Sequence, residues 1–294
     1  WKKCRCLPAS LRRRLFRHIL EDSNDGIPLL RLSGEAGPES LDVERADAEG
    51  GDVEQARGAG GSRVQLRSVR KVYIDEENRG QTTLAVESVS LDLYENQTFA
   101  LLGPNGAGKS TLLNMLTGIV SPSGGMISIF DHVLEDMNSI EKLREILGYC
   151  PQEDILLDDL TVKEHLKFFA GLRGLRGALL RKEVARRCEE MDLGSVMQEA
   201  VKNLSGGMKR RLSVALALTG DPKFVVLDEP SAGMDAKSRH ALWRALAHNK
   251  KDRVLIVSTH SMDEADAIAD RIGIMVHGVL KACGEPLELK VKYR

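Results

Sequence analysis

The sequence has few aromatic residues, few cysteines and no long hydrophobic run. Aromatic residues make up 4% of its 294 residues, too few for a surface on which the bases of single-stranded nucleic acid would stack. The cysteines are odd in number and scattered, which argues against a disulfide framework: they are Cys4, Cys6, Cys150, Cys188 and Cys283. No apolar run approaches the roughly 20 residues that cross a bilayer, and no secretory signal is found. We therefore expect that this chain does not span a membrane by itself.

An excess of charge of one sign is also lacking. The 42 Lys and Arg residues against 43 Asp and Glu leave a net charge of −1, so no binding of nucleic acid is expected. The balance hides an asymmetry, because residues 1–20 carry seven Lys and Arg, whereas residues 21–60 carry eleven Asp and Glu. The second stretch is Gly-rich and cannot bury enough apolar surface to offset its ordering entropy. We predict that residues 21–62 are a disordered acidic linker.

Two interpretations stay open for the basic start. Leu11, Leu15 and Ile19 recur at helical spacing and would form one side of a solvated amphipathic helix. Alternatively, residues 1–20 form a juxtamembrane segment whose cations meet anionic lipid on the cytoplasmic side. The first residue is Trp1 rather than Met, which suggests a piece of a longer protein.

From residue 63 onwards the sequence has the pattern of a folded domain. Apolar residues mark one strand over 64–73 and a second over 86–93, the latter with one break in its alternation. Three short apolar runs, at 99–102, 224–227 and 254–257, are typical of parallel strands buried on both faces. Residues 155–202 lack such a run and have a mostly helical pattern. These features predict an α/β layered fold.

The most specific motif is GPNGAGKS at residues 103–110, which fits the pattern GxxxxGK[ST]. It directly follows the apolar run 99–102 and precedes a helix-like stretch, the context that this motif requires. Its glycines let backbone N–H groups turn towards phosphate oxygens at the positive end of a helix. Lys109 would reach the β- and γ-phosphates, and the Ser110 hydroxyl would bind Mg²⁺. We predict a P-loop.

Two further motifs are weak evidence alone but indicate a nucleotide site when they occur in the same chain as a P-loop. The apolar run 224–227 ends in Asp228 and Glu229, two carboxylates at the edge of the sheet where ligands bind in open α/β folds. Asp228 would hold Mg²⁺, and Glu229 would polarise the attacking water. The sequence Ser205-Gly206-Gly207 opens a helix-like run and either caps that helix or provides a second set of phosphate donors.

Together these motifs resemble the ATP-binding cassette of ABC transporters, over residues 63–290. The matching segments are GPNGAGKST at 103–111, PQ at 151–152, LSGG at 204–207, VVLDEP at 225–230, SAGMD at 231–235 and STH at 258–260. Four longer segments are similar to the A subfamily, the large lipid exporters of eukaryotes: GYCPQ at 148–152, LTVKEHLKFFAGLRGL at 160–175, NLSGGMKRRLSVALAL at 203–218 and STHSMDEADAIADRI at 258–272.

The resemblance implies a fold and a division of the chain. The fold class would be α/β, with a P-loop NTPase core of the ABC type, an antiparallel β part and a mostly helical signature subdomain at about 150–205. This cassette would occupy residues 63–294, behind the basic segment and the linker at 1–62. ATP and Mg²⁺ would be its cofactors.

The resemblance also implies roles for individual residues. ATP would be bound by Tyr73, stacked on adenine, and by the P-loop residues Gly103, Pro104, Asn105, Gly106, Ala107, Gly108, Lys109, Ser110 and Thr111. Glu229, His260 and Gln152 would be catalytic, and Mg²⁺ would be held by Ser110, Gln152 and Asp228. The signature residues would bind the γ-phosphate of a partner cassette, towards which Asp235 would cross: they are Ser205, Gly206, Gly207 and Met208.

Two departures from the commonest cassette pattern are traits of the A subfamily. Met208 stands where the signature usually has Gln, and the crossing loop reads SAGMD. The backbone donors of the signature remain, so we expect a competent site. The basic triplet Lys209, Arg210 and Arg211 is expected to be a solvated face rather than a nucleotide contact.

The function that follows is an ATP-hydrolysing cassette on the cytoplasmic face of a membrane. Its dimerisation with a second cassette, driven by ATP, would power transmembrane domains of the same transporter, with a lipid as cargo. Two alternatives stay open. One is a soluble ABC ATPase that acts on ribosomes or DNA, and the other is a cassette that binds ATP but has become structural.

Overall fold

The structure is a computed structural model, and it describes residues 61–75 and 81–292. The basic segment and nearly all of the acidic linker that the sequence predicts, residues 1–60, lie outside the described residues.

The described residues form strands and helices that alternate along much of the chain. The strands are β1 (Val64–Asp75), β2 (Gln81–Leu93), β3 (Gln97–Leu102), β4 (Gly124–Ile129), β5 (His132–Val133), β6 (Leu147–Cys150), β7 (Phe224–Asp228), β8 (Val254–Thr259), β9 (Arg271–Val276) and β10 (Val279–Gly284). The helices are α1 (Lys109–Leu116), α2 (Met137–Ile146), α3 (Val162–Leu172), α4 (Gly177–Glu190), α5 (Gly206–Leu218), α6 (Ala236–His248), α7 (Met262–Ile268) and α8 (Pro286–Lys292).

The strands pair into two sheets. The first is antiparallel, in the order β2-β1-β4-β5. The second has the order β10-β9-β3-β8-β7-β6, and its strands are parallel except for β10, which runs antiparallel to β9. This arrangement confirms the predicted α/β architecture with an antiparallel part. Because β8 lies between β3 and β7, the segments that follow these three strands meet at one edge of the sheet.

The central strands are buried on both faces, as the apolar runs predict. In β7, Phe224 and Val226 point into a core shared with the antiparallel sheet and α1, while Val225 and Leu227 point into a core shared with α3, α5 and α6. All residues of β8 are buried as well. Burial on both sides removes the need for alternating polar residues, which explains the continuous apolar sequence.

The break in the alternation of β2 reflects irregular pairing with β1. The register shifts between the pairs Val69–Val89 and Lys71–Val86, so the buried residues Val86 and Val89 are three positions apart rather than two. A bulge of this kind accommodates an extra residue and increases the local twist.

Residues 155–202 are mostly helical, as predicted, and contain α3, α4 and two short 3₁₀ turns. A capping box starts α3: Thr161 Oγ1 accepts from the Glu164 N–H, and Glu164 Oε2 accepts from the Thr161 N–H at 2.8 Å. These bonds satisfy backbone donors that the first turn leaves unpaired. The limits of the helical subdomain at 150 and 205 stay a prediction. Within the part of the chain that the structure describes, no helix is long and apolar enough to cross a membrane.

Candidate active site

The P-loop connects β3 to α1 in a space that admits no side chain at two of its glycines. A Cβ on Gly103 would lie 2.2 Å from the carbonyl oxygen of Met275 on β9. A Cβ on Gly108 would lie 2.4 Å from the carbonyl oxygen of Ala85 on β2, and Gly108 has a φ of +97°. The loop is thus clamped between the two sheets, at positions where only glycine fits.

Lys109 is the first residue of α1 and is almost fully buried. Its Nζ donates to the carbonyl oxygens of Gly103 at 2.7 Å and Pro104 at 3.0 Å. Among the described residues, no side chain caps the start of α1. The first N–H groups of the helix, including those of Ser110 and Thr111, can therefore serve an anion at the positive end of the helix dipole.

The end of β7 places two carboxylates beside the P-loop. Asp228 is buried, and its Oδ1 accepts from the hydroxyl of Ser258 on β8. Glu229 follows with a φ of +47°, a conformation that is rare for a residue with a side chain. Its N–H donates to the Ser258 hydroxyl at 2.9 Å. Strained backbone that neighbouring structure holds in place is frequent at functional sites.

The Glu229 carboxylate lies between two of the predicted site residues. Its Oε1 is 4.0 Å from Nζ of Lys109, and its Oε2 is 3.3 Å from Nδ1 of His260. His260 follows β8 and is 57% exposed at its side chain, whereas Glu229 is only 12% exposed. The structure therefore brings the ammonium of Lys109 next to a carboxylate that lies more than a hundred residues further along the chain, and places the His260 imidazole on the other side of that carboxylate.

Gln152 and Tyr73 belong to segments next to the strands that carry this centre. Gln152 is exposed and follows β6, the strand next to β7. Tyr73 on β1 is 40% exposed, and its ring centroid is 5.2 Å from Nζ of Lys71. The neighbouring Val72 pairs with Leu84 of β2, one residue before the Ala85 carbonyl that approaches Gly108. Their roles towards a ligand remain predictions.

The signature and the segment around Asp235 lie against each other. Ser205 caps α5 by accepting from the Met208 N–H at 3.3 Å, which is the helix-capping interpretation of this motif. A Cβ on Gly207 would lie 3.9 Å from the Ser238 hydroxyl. Ser238 donates to both oxygens of the Asp235 carboxylate, at 3.0 and 2.7 Å, and these bonds hold the pKa of that carboxyl below its usual range. Phosphate binding by Ser205, Gly206, Gly207 and Met208 stays a prediction.

The expectation of a solvated face at 209–211 is wrong for two of its three residues. Arg210 and Arg211 are 3% and 6% exposed, and only Lys209 is half-buried. Arg210 donates to backbone carbonyls next to the site, including that of Glu229 at 3.0 Å. The sequence held part of this information, because α5 continues as LSVALAL at 212–218, where Ser213 is the one polar residue, and a helix that is apolar on most sides is buried.

The residues predicted to hold Mg²⁺ offer suitable atoms. Ser110 provides a hydroxyl, Asp228 a carboxylate and Gln152 an amide carbonyl, and Mg²⁺ prefers oxygen ligands. Of the Asp228 oxygens, Oδ1 already accepts from Ser258, which orients the carboxylate. Within 61–75 and 81–292, no group of three or more His, Cys, Asp and Glu could hold a metal ion, but a P-loop site completes its shell with water and phosphate. The donor set fits the ion.

Fold and site together define a P-loop nucleotide-binding domain. The family model described as ABC transporter matches residues 86–232. The chain is 44% identical over 230 residues to ATP-binding cassette sub-family A member 2 of Homo sapiens, covering 78% of this chain and 9% of that protein. It is 40% identical over 230 residues to the cholesterol transporter ABCA5 of Homo sapiens, covering 78% of this chain and 14% of that protein.

Solved structures agree with these sequences. A dimeric bacterial ABC transporter cassette has a TM-score of 0.69 and 25% identity, covering 76% of this chain and 98% of that chain. The same cassette in a dimeric post-hydrolysis state, bound to ADP and Pi, has a TM-score of 0.67 with the same identity and coverage. The chain belongs to the ABC transporter family. These matches confirm three predictions: the P-loop NTPase fold of ABC type, the likeness to the A subfamily and the ATPase class. The chain spans only a small part of the length of its curated relatives.

Proposed function

We propose that this chain binds ATP with Mg²⁺, hydrolyses it, and so powers the transport of lipid across a membrane. The observation that carries the hydrolytic part is the position of the Glu229 carboxylate, 4.0 Å from the Lys109 ammonium and 3.3 Å from the His260 imidazole. All three lie at the edge of the sheet where parallel strands end and ligands bind.

The three side chains divide the work of phosphoryl transfer. Lys109 is held over the loop by two carbonyls and exchanges them for the β- and γ-phosphate oxygens when ATP binds. Glu229 orients the attacking water and accepts its proton. His260, whose Nδ1 lies 3.3 Å from this carboxylate, would contact the γ-phosphate. Catalysis of this kind consists of positioning and electrostatic stabilisation.

Ser110, Gln152 and Asp228 are the residues that would hold the metal. Bound Mg²⁺ supplies positive charge that neutralises the phosphate oxygens. Asp228 serves this role from the rigid end of β7, because its carboxylate is fixed by Ser258. Tyr73 contributes an exposed aromatic face for the adenine base.

A second cassette completes the site in this proposal. Within the described residues, the contacts of Ser205 and Gly207 are with α5, α6 and the Asp235 segment rather than with the P-loop. Ser205 and Gly206 are exposed and would donate to a γ-phosphate bound by the partner. The dimeric form of the similar bacterial cassette supports this arrangement. Closure with ATP and opening after hydrolysis would be passed to transmembrane domains, with the cassette on the cytoplasmic face.

The choice of lipid as cargo rests on the relatives alone. One of them is named as a cholesterol transporter, and the four A-subfamily segments of this sequence agree with that kinship. The alternative of a soluble ABC ATPase acting on ribosomes or DNA is not favoured, since the relatives described above are transporters or members of the A subfamily.

The substitution Glu229→Gln tests the hydrolytic part. It preserves shape but removes the proton acceptor, so we expect unchanged ATP affinity and turnover lowered by about 10²–10⁴-fold, the usual contribution of a general base. Titration with a fluorescent nucleotide measures affinity, and phosphate release measures turnover. Glu141→Gln, on the exposed side of α2, is the control with wild-type activity. Near-normal turnover in Glu229→Gln would rule out the assigned role.

The transport part needs the sequence around this chain. We expect the transcript to encode several hydrophobic segments of about 20 residues, each long enough to span a bilayer, and a second cassette. The whole protein, placed in vesicles with labelled cholesterol or phospholipid, should move the label only with ATP. The Glu229→Gln protein is the negative control, in which ATP should not move the labelled lipid. Flanks without membrane spans would contradict the transport proposal and leave the ATPase proposal standing.

A further inference from the structure

Arg210 uses every donor that an arginine possesses. Its side chain lies inside the molecule, 3% exposed, on the second turn of the signature helix α5. The five N–H groups of a guanidinium meet five acceptors: Pro230 O at 3.2 Å, Pro151 O at 2.7 Å, Asp154 Oδ1 at 3.1 Å, Glu229 O at 3.0 Å and Asp228 O. A buried cation is tolerated only when it is paired and fully hydrogen-bonded, and Arg210 meets that condition.

The acceptors come from two segments that carry site residues. Three are consecutive backbone carbonyls at 228–230, which include that of Glu229. The other two flank Gln152, since they belong to Pro151 and Asp154. Arg210 itself follows the signature by two residues. One side chain therefore joins the signature helix, the backbone that carries Glu229 and the segment of Gln152.

The contact with Glu229 acts on a strained peptide. Glu229 has a φ of +47°, and its N–H is held by Ser258 while its carbonyl is held by Arg210. Without the guanidinium, this backbone is free to relax towards negative φ, which is the favoured range for a residue with a side chain. Such a change would carry the carboxylate away from Lys109 and His260.

We propose that Arg210 is a positioning residue for ATP hydrolysis, which holds Glu229 and the Gln152 segment in register with the signature helix. The proposal rests on the hydrolytic function proposed above. It assigns Arg210 no contact with nucleotide. Its loss should lower the rate of the chemical step and leave the affinity for ATP almost unchanged.

The next residue of the helix is a matched control. Arg211 is also buried, at 6% exposed, but its bonds go to Met191 O and to the backbone and carboxylate of Asp192. These acceptors lie at the end of α4, away from the segments of Glu229 and Gln152. Replacing Arg211 removes a buried cation from the same helix without releasing either segment.

The experiment compares Arg210→Gln, Arg210→Lys and Arg211→Gln in the 294-residue chain. Thermal melting reports folding, a fluorescent nucleotide reports ATP affinity, and phosphate release reports kcat. We expect kcat to fall by about 10-fold or more in both Arg210 variants, since a misplacement of about 1 Å can cost 10²-fold, with ATP affinity within about twofold of wild type. Arg211→Gln should keep the wild-type kcat.

The Arg210→Lys variant keeps the proposal testable if the Arg210→Gln chain does not fold. Lysine keeps the buried charge but has three donors, so at least two of the five acceptors lose their bond. A folded Arg210→Lys chain with the wild-type kcat would overturn the proposal, as would equal losses of kcat in the Arg210 and Arg211 variants. If the wild-type chain binds ATP without hydrolysing it even at concentrations at which two copies associate, the proposed hydrolytic function fails and takes this inference with it.

Discussion

Glu229 shows how a single residue can depend on three strands. Its peptide is held in the left-handed region by the Ser258 hydroxyl of β8, and its carboxylate lies between Lys109 after β3 and His260. The same Ser258 hydroxyl donates to Asp228, so one side chain of β8 holds both the Asp228 carboxylate and the Glu229 peptide. The site is rigid because its backbone is fixed from the neighbouring strand, not because the residue itself prefers this conformation.

Lys109 is the residue on which we expect ATP binding to depend most. The substitution Lys109→Ala removes the ammonium that replaces its carbonyl partners with phosphate oxygens. Charge-assisted hydrogen bonds contribute about 1.5–3 kcal/mol, so we expect the Kd for ATP to rise by about 10–150-fold. Titration with a fluorescent nucleotide measures this, with Lys142→Ala, on the exposed side of α2, as control. An unchanged Kd would contradict the role of Lys109.

At this scale the sequence predicts residues that belong to a motif and misses those that do not. Lys109, Glu229 and His260 lie in recognisable segments, each directly after a predicted strand. The sequence predicts Arg210 in solvent, and this prediction is wrong. The carbonyls that surround its guanidinium come from residues 18 to 59 positions away along the chain. The pattern of one helix cannot show which segments will pack over a basic residue.

The start of α3 is an element whose stability depends on the protonation of one side chain. His165 is 2% exposed. Its Nε2 accepts from the Leu157 N–H at 3.0 Å, and its Nδ1 is 3.0 Å from the Thr161 carbonyl oxygen, to which it donates. The ring thus ties the first turn of the helix to the loop before it. Only the neutral imidazole can accept at Nε2.

Acid should therefore weaken this element. Burial lowers the pKa of His165 below 6.5, although the carboxylates of Glu164 and Asp158 oppose the shift. The unfolded chain then binds the proton more readily than the folded one, so the contribution is fully present above about pH 6.5 and is lost as the pH falls below it. Urea unfolding at about pH 7.5 and 5.5 measures the loss, which we expect to be smaller in His165→Gln. Identical pH slopes in both proteins would refute this explanation.

Across the whole molecule, Arg187 joins the helical region to the main core. It is completely buried on α4 and donates to partners in three parts of the chain: Glu183 and Glu190 on its own helix, Leu218 O at the end of α5 with Asp221 beyond it, and Asn249 after α6. These contacts fix the end of α5, the helix that begins with the signature. The packing of the two regions thus depends on a charged centre as well as on apolar contacts.

Removal of this centre should cost much of the stability. We expect Arg187→Met to lower the free energy of unfolding by about 3–5 kcal/mol, because breaking a buried ion network leaves carboxylates without their partner. Arg186→Met is the control: this neighbour contacts Glu183 and Asp221 too, but it is 37% exposed, and a surface pair is worth about 1 kcal/mol or less. Urea denaturation measures both values. A similar small effect in the two variants would show that the apolar core alone holds the regions together.

The sequence predicts the strands of the main sheet but not their order. The apolar runs that became β3, β7 and β8 mark burial on both faces, and burial does not say which strand lies next to which. The order arises from the packing of α1, α5 and α6 across the two faces, through contacts that are far apart in the chain. The convergence of Lys109, Glu229 and His260 is a product of that order.

The strand order has a consequence for synthesis of the protein. Both neighbours of β3 in the sheet, β8 and β9, are made after residue 253, although β3 leads directly into the P-loop. During translation, β3 and β7 therefore emerge with edges that nothing covers, and exposed edges of this kind favour aggregation. The insertion of β8 between them joins β3 to β7 and brings His260, which follows β8, to the site. A nascent chain stopped before Val254 would carry the whole P-loop sequence but lack both strands that pair with β3.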